Sequence, residues 1–377
     1  CAAGVVFMVL VDVNRQLRTQ GAQVLDLLGL LDFVALATVA DVAPLVGLNR
    51  AFVMQGLKVM AQRRHPGLVA LCDVARLDQA PTAYHLGYVL GPRINAGGRI
   101  GQADLGARLL ATPNPALAGK IAAQLDQLNT DRRIVETAVR TDALAQAEAR
   151  GFDAPLVWAA DDGWHPGVVG IVASRLKETT NRPAIVIGFD GDAGKGSGRS
   201  VSGIDLGAAI QRLAREGLIE KGGGHKMAAG LSLSRAQLAP AMAQLSDLLA
   251  AQGADRLGPK DLMFDATLMA SGATVDLIET LDTAGPFGAS APAPRFVLPD
   301  CRISFAKRVG ESHLKLTIAS AAGTGLDAIC FGAFDGPLGA ALTEHDGHAF
   351  HFVGRLEVNH WNGRSRPQLR IEDAARA

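Results

Sequence analysis

Three glycine-rich stretches carry side chains able to hold an anion. The first, residues 220–230, reads EKGGGHKMAAG. Gly222, Gly223 and Gly224 can adopt positive φ and bring amide N–H groups to an oxyanion with no Cβ in the way, and His225 adds a donor able to carry charge. The small residues Ala228, Ala229 and Gly230 let the following segment pack closely beneath such a seat. The same spacing also suits a flexible turn with a surface histidine. The second stretch, GKGSGRS (194–200), sets Ser197, Arg199 and Ser200 among glycines. A guanidinium fork matches phosphate oxygens bidentately, whereas the alternative is a hairpin with a solvated arginine. The third, GPRINAGGRIG (91–101), holds Arg93, Asn95 and Arg99 on a backbone that reads as a loop. Each glycine-rich loop costs backbone entropy that ordinary turns avoid, so three together favour phosphate recognition.

Other groups are more ambiguous. In DGWHPGVVGIVASRL (162–176), Pro166 suits the first turn of a helix, which puts His165 at its N-terminal end, either as a cap or facing an anion. Asp41 closes the apolar run DFVALATVA (32–40). At the carboxyl end of a strand it would border a ligand crevice, or simply cap the strand. One carboxylate cannot hold a divalent ion, because a hard cation requires several ligands. Near the C-terminus, RLEVNHWNGRSRPQLR carries Arg355, Arg364, Arg366 and Arg370 with His360 and Trp361 against a single acid, Glu357. Cations beside an aromatic on a small barrel suit a platform for single-stranded nucleic acid, where bases stack on rings and phosphates meet guanidinium groups. A hairpin with solvated charges is the other reading.

These residues need elements to position them. Residues 1–31 read as helical segments, and 32–40 and 68–72 as short buried strands of a parallel sheet. Between the two, Leu48, Phe52, Val53, Leu57 and Met60 recur at helical spacing. Pro113 to Arg150 forms one long helix: Ile121, Leu125, Leu128, Ile134, Val135 and Val139 mark an apolar side and six charged residues a wet one. A second α/β unit begins at Pro155, with strands at LVWAA, PAIVIGFD, GKGSGRSV and GLSLS and helices from Pro166, Asp205 and Arg235. After the Pro/Ala/Gly stretch PFGASAPAPR come five short β-like runs without a long helix, the signature of a small barrel.

With 377 residues the chain is long enough for two or three domains, and at 48% hydrophobic and 20% charged residues it has the composition of a globular protein with real cores. Lys plus Arg equals Asp plus Glu, 37 each, so any polyanion must be held by local patches. Cys1, Cys72, Cys301 and Cys330 are too far apart for a zinc or redox pair and suggest reduced thiols in a cytoplasm. No apolar run approaches the roughly 20 residues that span a bilayer, so no membrane partner is expected.

In order, TVADVAPLVGLNR, GPRINAGGR, DGWHPGVVGIVASRL, GSGRS, GGGHKMAAG and RLEVNHWNGR resemble the RecJ family of single-strand-specific 5′-to-3′ DNA exonucleases, within the DHH phosphoesterase superfamily. The likeness covers essentially the whole chain. It implies an α/β fold: the C-terminal part of a DHH domain (1–112), a connecting helix (113–153), an α/β DHH-associated domain (154–252), a linker (253–287) and an all-β OB-fold barrel (288–377). It further implies a two-metal hydrolase using manganese or magnesium, acting in DNA repair and recombination on single-stranded DNA, with a helicase and a single-strand-binding protein as partners. By the same resemblance Asp41 falls on the last metal-binding motif, Ser197 and Arg199 bind the terminal 5′-phosphate, and His225 with Gly222, Gly223 and Gly224 contacts phosphate near the metals as the catalytic histidine. Arg93, Asn95 and Arg99 line the entry of the strand, and Arg355, Trp361, Arg364 and Arg366 grip DNA from the barrel. The Asp-His-His triplet of the superfamily does not occur in the sequence, which opens at Cys1 without a methionine. The expectation is therefore of a fragment whose earlier metal ligands lie upstream and which binds DNA but hydrolyses it poorly. The alternatives are a DHH-family phosphodiesterase of short oligonucleotides, against which the barrel argues, and a non-catalytic single-strand-binding module.

Overall fold

The computed structural model describes residues 1–258, 261–320, 323, 325–361 and 363–377, with the side chain of Trp361 outside the described set. Helices α1 (Ala2–Thr19), α2 (Leu31–Ala40), α3 (Gly47–Met60), α4 (Pro66–Val74), α5 (Gly91–Ile100), α6 (Leu105–Ala111) and α7 (Pro115–Arg150) come first. Next are β1 (Val157–Asp162), α8 (Pro166–Thr180), β2 (Ala184–Asp190), β3 (Ala193–Arg199), α9 (Leu206–Arg215), β4 (Lys221–His225), β5 (Ala228–Ser234) and α10 (Arg235–Ala250). The chain ends with β6 (Ala266–Thr267), α11 (Val275–Asp282), β7 (Phe296–Val309), β8 (His313–Ala319), β9 (Gly325–Cys330), α12 (Leu338–Thr343), β10 (Ala349–Trp361) and β11 (Arg364–Arg376). Among the described residues no helix is long and apolar enough to cross a membrane.

Two compact units result, one of Cys1–Ala61, Pro81–Leu86 and Asp261–Ala377, the other of Gln62–Ala80 and Gly87–Lys260. In the first unit, Phe7, Leu31, Val34, Phe52 and Val59 form the core between α1, α2 and α3, with Phe7 and Phe52 edge to face at 5.1 Å. Its other part is a closed barrel in the order β10-β11-β9-β8-β7, with β10 pairing back onto β7. Among the described residues of the barrel, β11 with β9 and the short β6 with β7 run parallel and the other pairs antiparallel. Leu298, Leu314, Leu316, Ile318, Ala328, Phe352 and Leu369 point inward, and the intervening residues face out, as the two-residue period of a strand requires.

The second unit is built on the sheet β1-β2-β3-β5-β4, parallel between β1 and β2 and antiparallel elsewhere. One face packs Ile185, Ile187, Phe189, Leu231 and Leu233 against α9 and α10, where Ile210, Leu213, Met242 and Leu245 are buried. On the other, Val157, Ala159, Ala184 and Val186 lie under α7 and α8. The expected long helix is α7, whose cap Asn114 accepts from the N–H groups of Ala116 and Leu117.

Four local expectations are corrected. Residues 32–40 form α2, and 68–72 lie in α4, not in strands; a short, almost purely apolar run carries no period to separate buried strand from buried helix. In α2, Leu31, Val34, Ala35, Leu36 and Thr38 are buried, and the Thr38 hydroxyl donates to Val34 O four residues back. Pro66 opens α4 at a position where its missing N–H costs nothing. Residues 91–100 are helix α5 and not a loop: its Gly97 is buried where a Cβ would stand 2.9 Å from Gln102 O and 3.2 Å from Leu125 Cδ2, so glycine there serves close packing on α7. Finally, Gly222, Gly223 and Gly224 belong to the edge strand β4, with Gly223 paired to Gly230 and Gly224 to Ala229.

Candidate nucleic-acid interface

Strand β3 explains its own alternation of glycine with polar residues. A Cβ at Gly194 would approach Phe189 to 2.7 Å, at Gly196 Ile187 to 2.8 Å, and at Gly198 Ile185 to 2.5 Å and Leu206 to 2.7 Å. Glycine therefore faces the packed core, and Lys195, Ser197 and Arg199 emerge on the opposite face. Across the ladder Arg199 lies opposite Ala228 and Ala228 opposite His225; one row back, Ser197 lies opposite Gly230 and Gly230 opposite Gly223. Residues directly opposite share a face, so Ser197, Arg199, Gly223 and His225 all belong to one surface. Two strand spacings put the Arg199 and His225 backbones about 10 Å apart, with only the methyl of Ala228 between them.

Helix α8 borders this surface. A Cβ on Gly170 would be 3.1 Å from Arg199 Nη2 and 3.4 Å from Ser197 Oγ, so the helix lies directly against both side chains. Its first turn meets the end of α5: a Cβ on Gly167 would be 2.1 Å from Arg99 O, and Arg99 Nη1 donates to Gly167 O at 3.3 Å. Two glycine-rich stretches separated by a hundred residues of sequence thus bring Arg99 and Arg199 to one place. Among the described residues neither forms an ion pair with a carboxylate; Arg199 Nη1 donates only to Gly198 O, at 2.8 Å. Burial, and then the like charge of Arg99, lower the pKa of Arg199 below the ordinary arginine range. Two half-buried guanidinium groups without an acid are an unbalanced charge that a phosphate would neutralise bidentately.

The β4–β5 hairpin carrying His225 is fastened at its tip, because Ser200 N–H donates to Met227 O at 3.0 Å and Leu206 N–H to Lys226 O at 3.1 Å. His225 itself is exposed. Gly222 faces the core, where a Cβ would meet Ile210 at 2.5 Å; Gly223 faces open space; Gly224 adopts φ +155° with Ala228 O only 2.3 Å from any Cβ. His165 caps α8, its Nδ1 accepting from Gly167 N–H at 3.0 Å.

The remaining residues of the third stretch are placed differently. Arg93 is tied down, with Nε 2.8 Å from Asp126 Oδ1 and Nη1 donating to Val89 O, so it links α5 to α7. Asn95 is exposed. In the other unit, Asp41 follows the last turn of α2 and is exposed. Among the described residues there is no group of three or more His, Cys, Asp or Glu side chains able to hold a metal ion, so Asp41 by itself does not form a manganese or magnesium site.

On the barrel, the ladder draws a row of outward residues across all five strands: Lys307 opposite Lys315, Lys315 opposite Ile329, Ile329 opposite Arg370, and Arg370 opposite Arg355. Phe305 on the same face of β7 is 47% exposed, and Phe331 is 51% exposed with the Arg370 guanidinium 5.2 Å above its ring. Arg355 is spent on Glu372, at 2.9 Å, where Arg295 also binds. Arg364 and Arg366 are exposed on the β10–β11 hairpin, and His360 Nδ1 lies 2.9 Å from Ser365 Oγ. Sequence reading missed Lys307, Lys315, Phe305 and Phe331, which are scattered over three segments and aligned only by strand register. Lys195 and Lys221, joined through Ser232 in one row of the other sheet, were missed for the same reason.

Comparison with known proteins places these features. Residues 264–373 match the family described as the RecJ OB domain, and residues 153–251 the DHHA1 domain. The chain is 37% identical to the single-stranded-DNA-specific exonuclease RecJ of Dickeya dadantii, over 98% of this chain and 66% of that protein, and 35% identical to that of Escherichia coli over the same shares. The Bacillus subtilis protein of that name is 33% identical over 92% of this chain and 44% of its own length. The chain thus spans about half to two thirds of these relatives. Among solved structures, RecJ of Thermus thermophilus in complex with Mn2+ superposes with a TM-score of 0.78 at 29% identity, covering 95% of this chain and 51% of that one; its Mg2+ complex gives 0.77.

Proposed function

The chain belongs to the RecJ family, and on that premise we propose that it is the DNA-holding part of a single-strand-specific 5′-to-3′ DNA exonuclease acting in repair and recombination. The observation that carries this reading is the juxtaposition of Arg99 and Arg199 beside Ser197 with no carboxylate ion-paired to either among the described residues. A terminal 5′-phosphate docked there receives two guanidinium forks and a hydroxyl, which fixes the register of the strand. The next phosphodiesters run along the same sheet face towards His225, which donates to the phosphate nearest the reacting bond. The barrel row of Lys315 and Arg370, with Phe305 and Phe331, takes bases and backbone of the strand, joined by Arg364 and Arg366.

Manganese or magnesium would supply charge stabilisation at the scissile phosphate. Asp41 is the residue assigned to it here, as one member of a larger ligand set, and the chain's own contribution is to bind and orient the strand. In this reading residues 1–112 serve the metal, 154–252 the 5′-end and 288–377 further nucleotides of the strand, with the helix at 113–153 and the linker at 253–287 between them in sequence. A cytoplasmic setting, with a helicase and a single-strand-binding protein supplying the substrate, fits that role.

The test is a binding and digestion experiment with the 377-residue chain. Single strands with a 5′-phosphate should bind more tightly than the same strands with a 5′-hydroxyl, and more tightly than duplex, while release of mononucleotides in Mn2+ stays low. Equal affinity for single strand and duplex, or indifference to the 5′-phosphate, would contradict the reading.

A further inference from the structure

Helix α7 buries a third arginine beneath the same seat. Arg132 retains only 10% side-chain exposure; its Nη1 bonds Glu136 Oε2, its Nη2 donates to Asn129 Oδ1 at 3.1 Å, and its buried Nε has no partner among the described residues. The flanking residues of the same helix face fix its place. Leu128 packs so tightly below Gly101 that a Cβ there would be 2.7 Å away, and Val135 packs into the core that also receives Ile100. Arg132 therefore lies under the Arg99–Gly101 end of α5, within Coulombic reach of the Arg99 guanidinium. Burial lowers its pKa and Glu136 opposes that shift, as expected for a charge kept in place by one acid. Such a pair adds little stability over apolar residues of the same size, so packing alone does not account for it.

We propose that Arg132 is a positioning residue for the phosphate seat: held by Glu136 and Asn129, its buried positive charge repels the Arg99 guanidinium outward, towards Arg199 and an incoming terminal phosphate. Glu136 holds the Arg132 guanidinium in place and partly offsets its charge under the seat. This inference rests on the reading of Arg99 and Arg199 as the 5′-phosphate site. It makes the two halves of one ion pair work in opposite directions, which a merely structural role would not do.

The experiment measures the ratio of affinities for a 5′-phosphorylated and a 5′-hydroxyl oligothymidylate by fluorescence anisotropy, with each variant shown to be folded by its thermal melt. Arg132→Met should lower the ratio about three- to fivefold, and Arg132→Lys, which keeps the charge, should retain most of it. Glu136→Gln, which keeps an acceptor for Arg132 but removes the neutralising charge, should raise the ratio by a similar factor. If Arg132→Met does not fold, the lysine and glutamine variants decide alone. A fall or no change with Glu136→Gln overturns the proposal, as does a loss with Arg132→Lys equal to that with Arg132→Met. Failure of the underlying reading shows separately, as a wild-type ratio near one.

Discussion

Replacing Gly170 by alanine should make the protein more stable and worse at its task. Gly170 lies inside α8, where glycine costs about 1 kcal/mol relative to alanine. The added methyl would stand 3.1 Å from Arg199 Nη2 and 3.4 Å from Ser197 Oγ, closer than ordinary contact, and the flexible end of the arginine is the part that can give way. The backbone gain should therefore survive, raising Tm by roughly 2–4 °C for a unit of this size. A displacement of a few tenths of an ångström misaligns one charge-assisted hydrogen bond worth about 1.5–3 kcal/mol. Loss of half of it, about 1 kcal/mol, lowers the preference for 5′-phosphorylated over 5′-hydroxyl strands roughly fivefold. Calorimetry gives the first quantity and anisotropy titration the second. A higher Tm with an unchanged preference would refute the link between Arg199 and phosphate; a lower Tm would show that the backbone rather than the arginine absorbs the methyl.

Gly198→Ala should have the opposite sign on stability, because its methyl would press on Ile185 at 2.5 Å and Leu206 at 2.7 Å inside the core; a loss of about 1–3 kcal/mol in denaturant unfolding is expected, and an unaltered midpoint would contradict the packing argument. Changing Lys315 and Arg370 together to glutamine should reduce the slope of log affinity against log salt by about 1.4 for single strands, whereas Arg355→Gln, already paired with Glu372, should leave it nearly the same. Burial raises the pKa of Glu357, with Arg370 partly opposing. A carboxyl whose folded pKa is raised favours folding when protonated, and that contribution is lost as pH rises through the folded value. Glu357→Gln should accordingly raise Tm relative to wild type at pH 7 and give no such gain below pH about 4, where both states are protonated; equal shifts at both values would rule the carboxyl out.

Much of the architecture was legible from periodicity: α7, the β1–α8–β2 unit, the β5–α10 pair and the five barrel strands lie where alternation and helical spacing put them. The misreadings share a physical cause. In 32–40 and 68–72 nearly all side chains are apolar and none is fully exposed, so hydrophobicity carries no period, and tertiary packing selects the helix. Glycine in a sequence suggests freedom for the backbone, but in α5 and β3 it marks places where another chain segment comes too close for a Cβ. That correction sharpens the site, since glycine on the packed face is what turns Ser197 and Arg199 to the open one. The pairing of Arg99 with Arg199 could not be seen along the chain, because it depends on Gly167 letting α8 touch the end of α5. Arg93, alike in sequence context, is neutralised by Asp126, a partner that only the fold supplies.

The central claim is that Arg99, Arg199 and Ser197 together seat a terminal phosphate. A crystal structure of the chain with a 5′-phosphorylated trinucleotide tests it most directly. The expected result is 5′-phosphate oxygens within about 2.7–3.2 Å of both guanidinium groups and of Ser197 Oγ, with the strand leading towards His225. A trinucleotide bound with its 5′-phosphate in solvent, or seated elsewhere on the unit while Arg99 and Arg199 touch no oxygen of it, would contradict it.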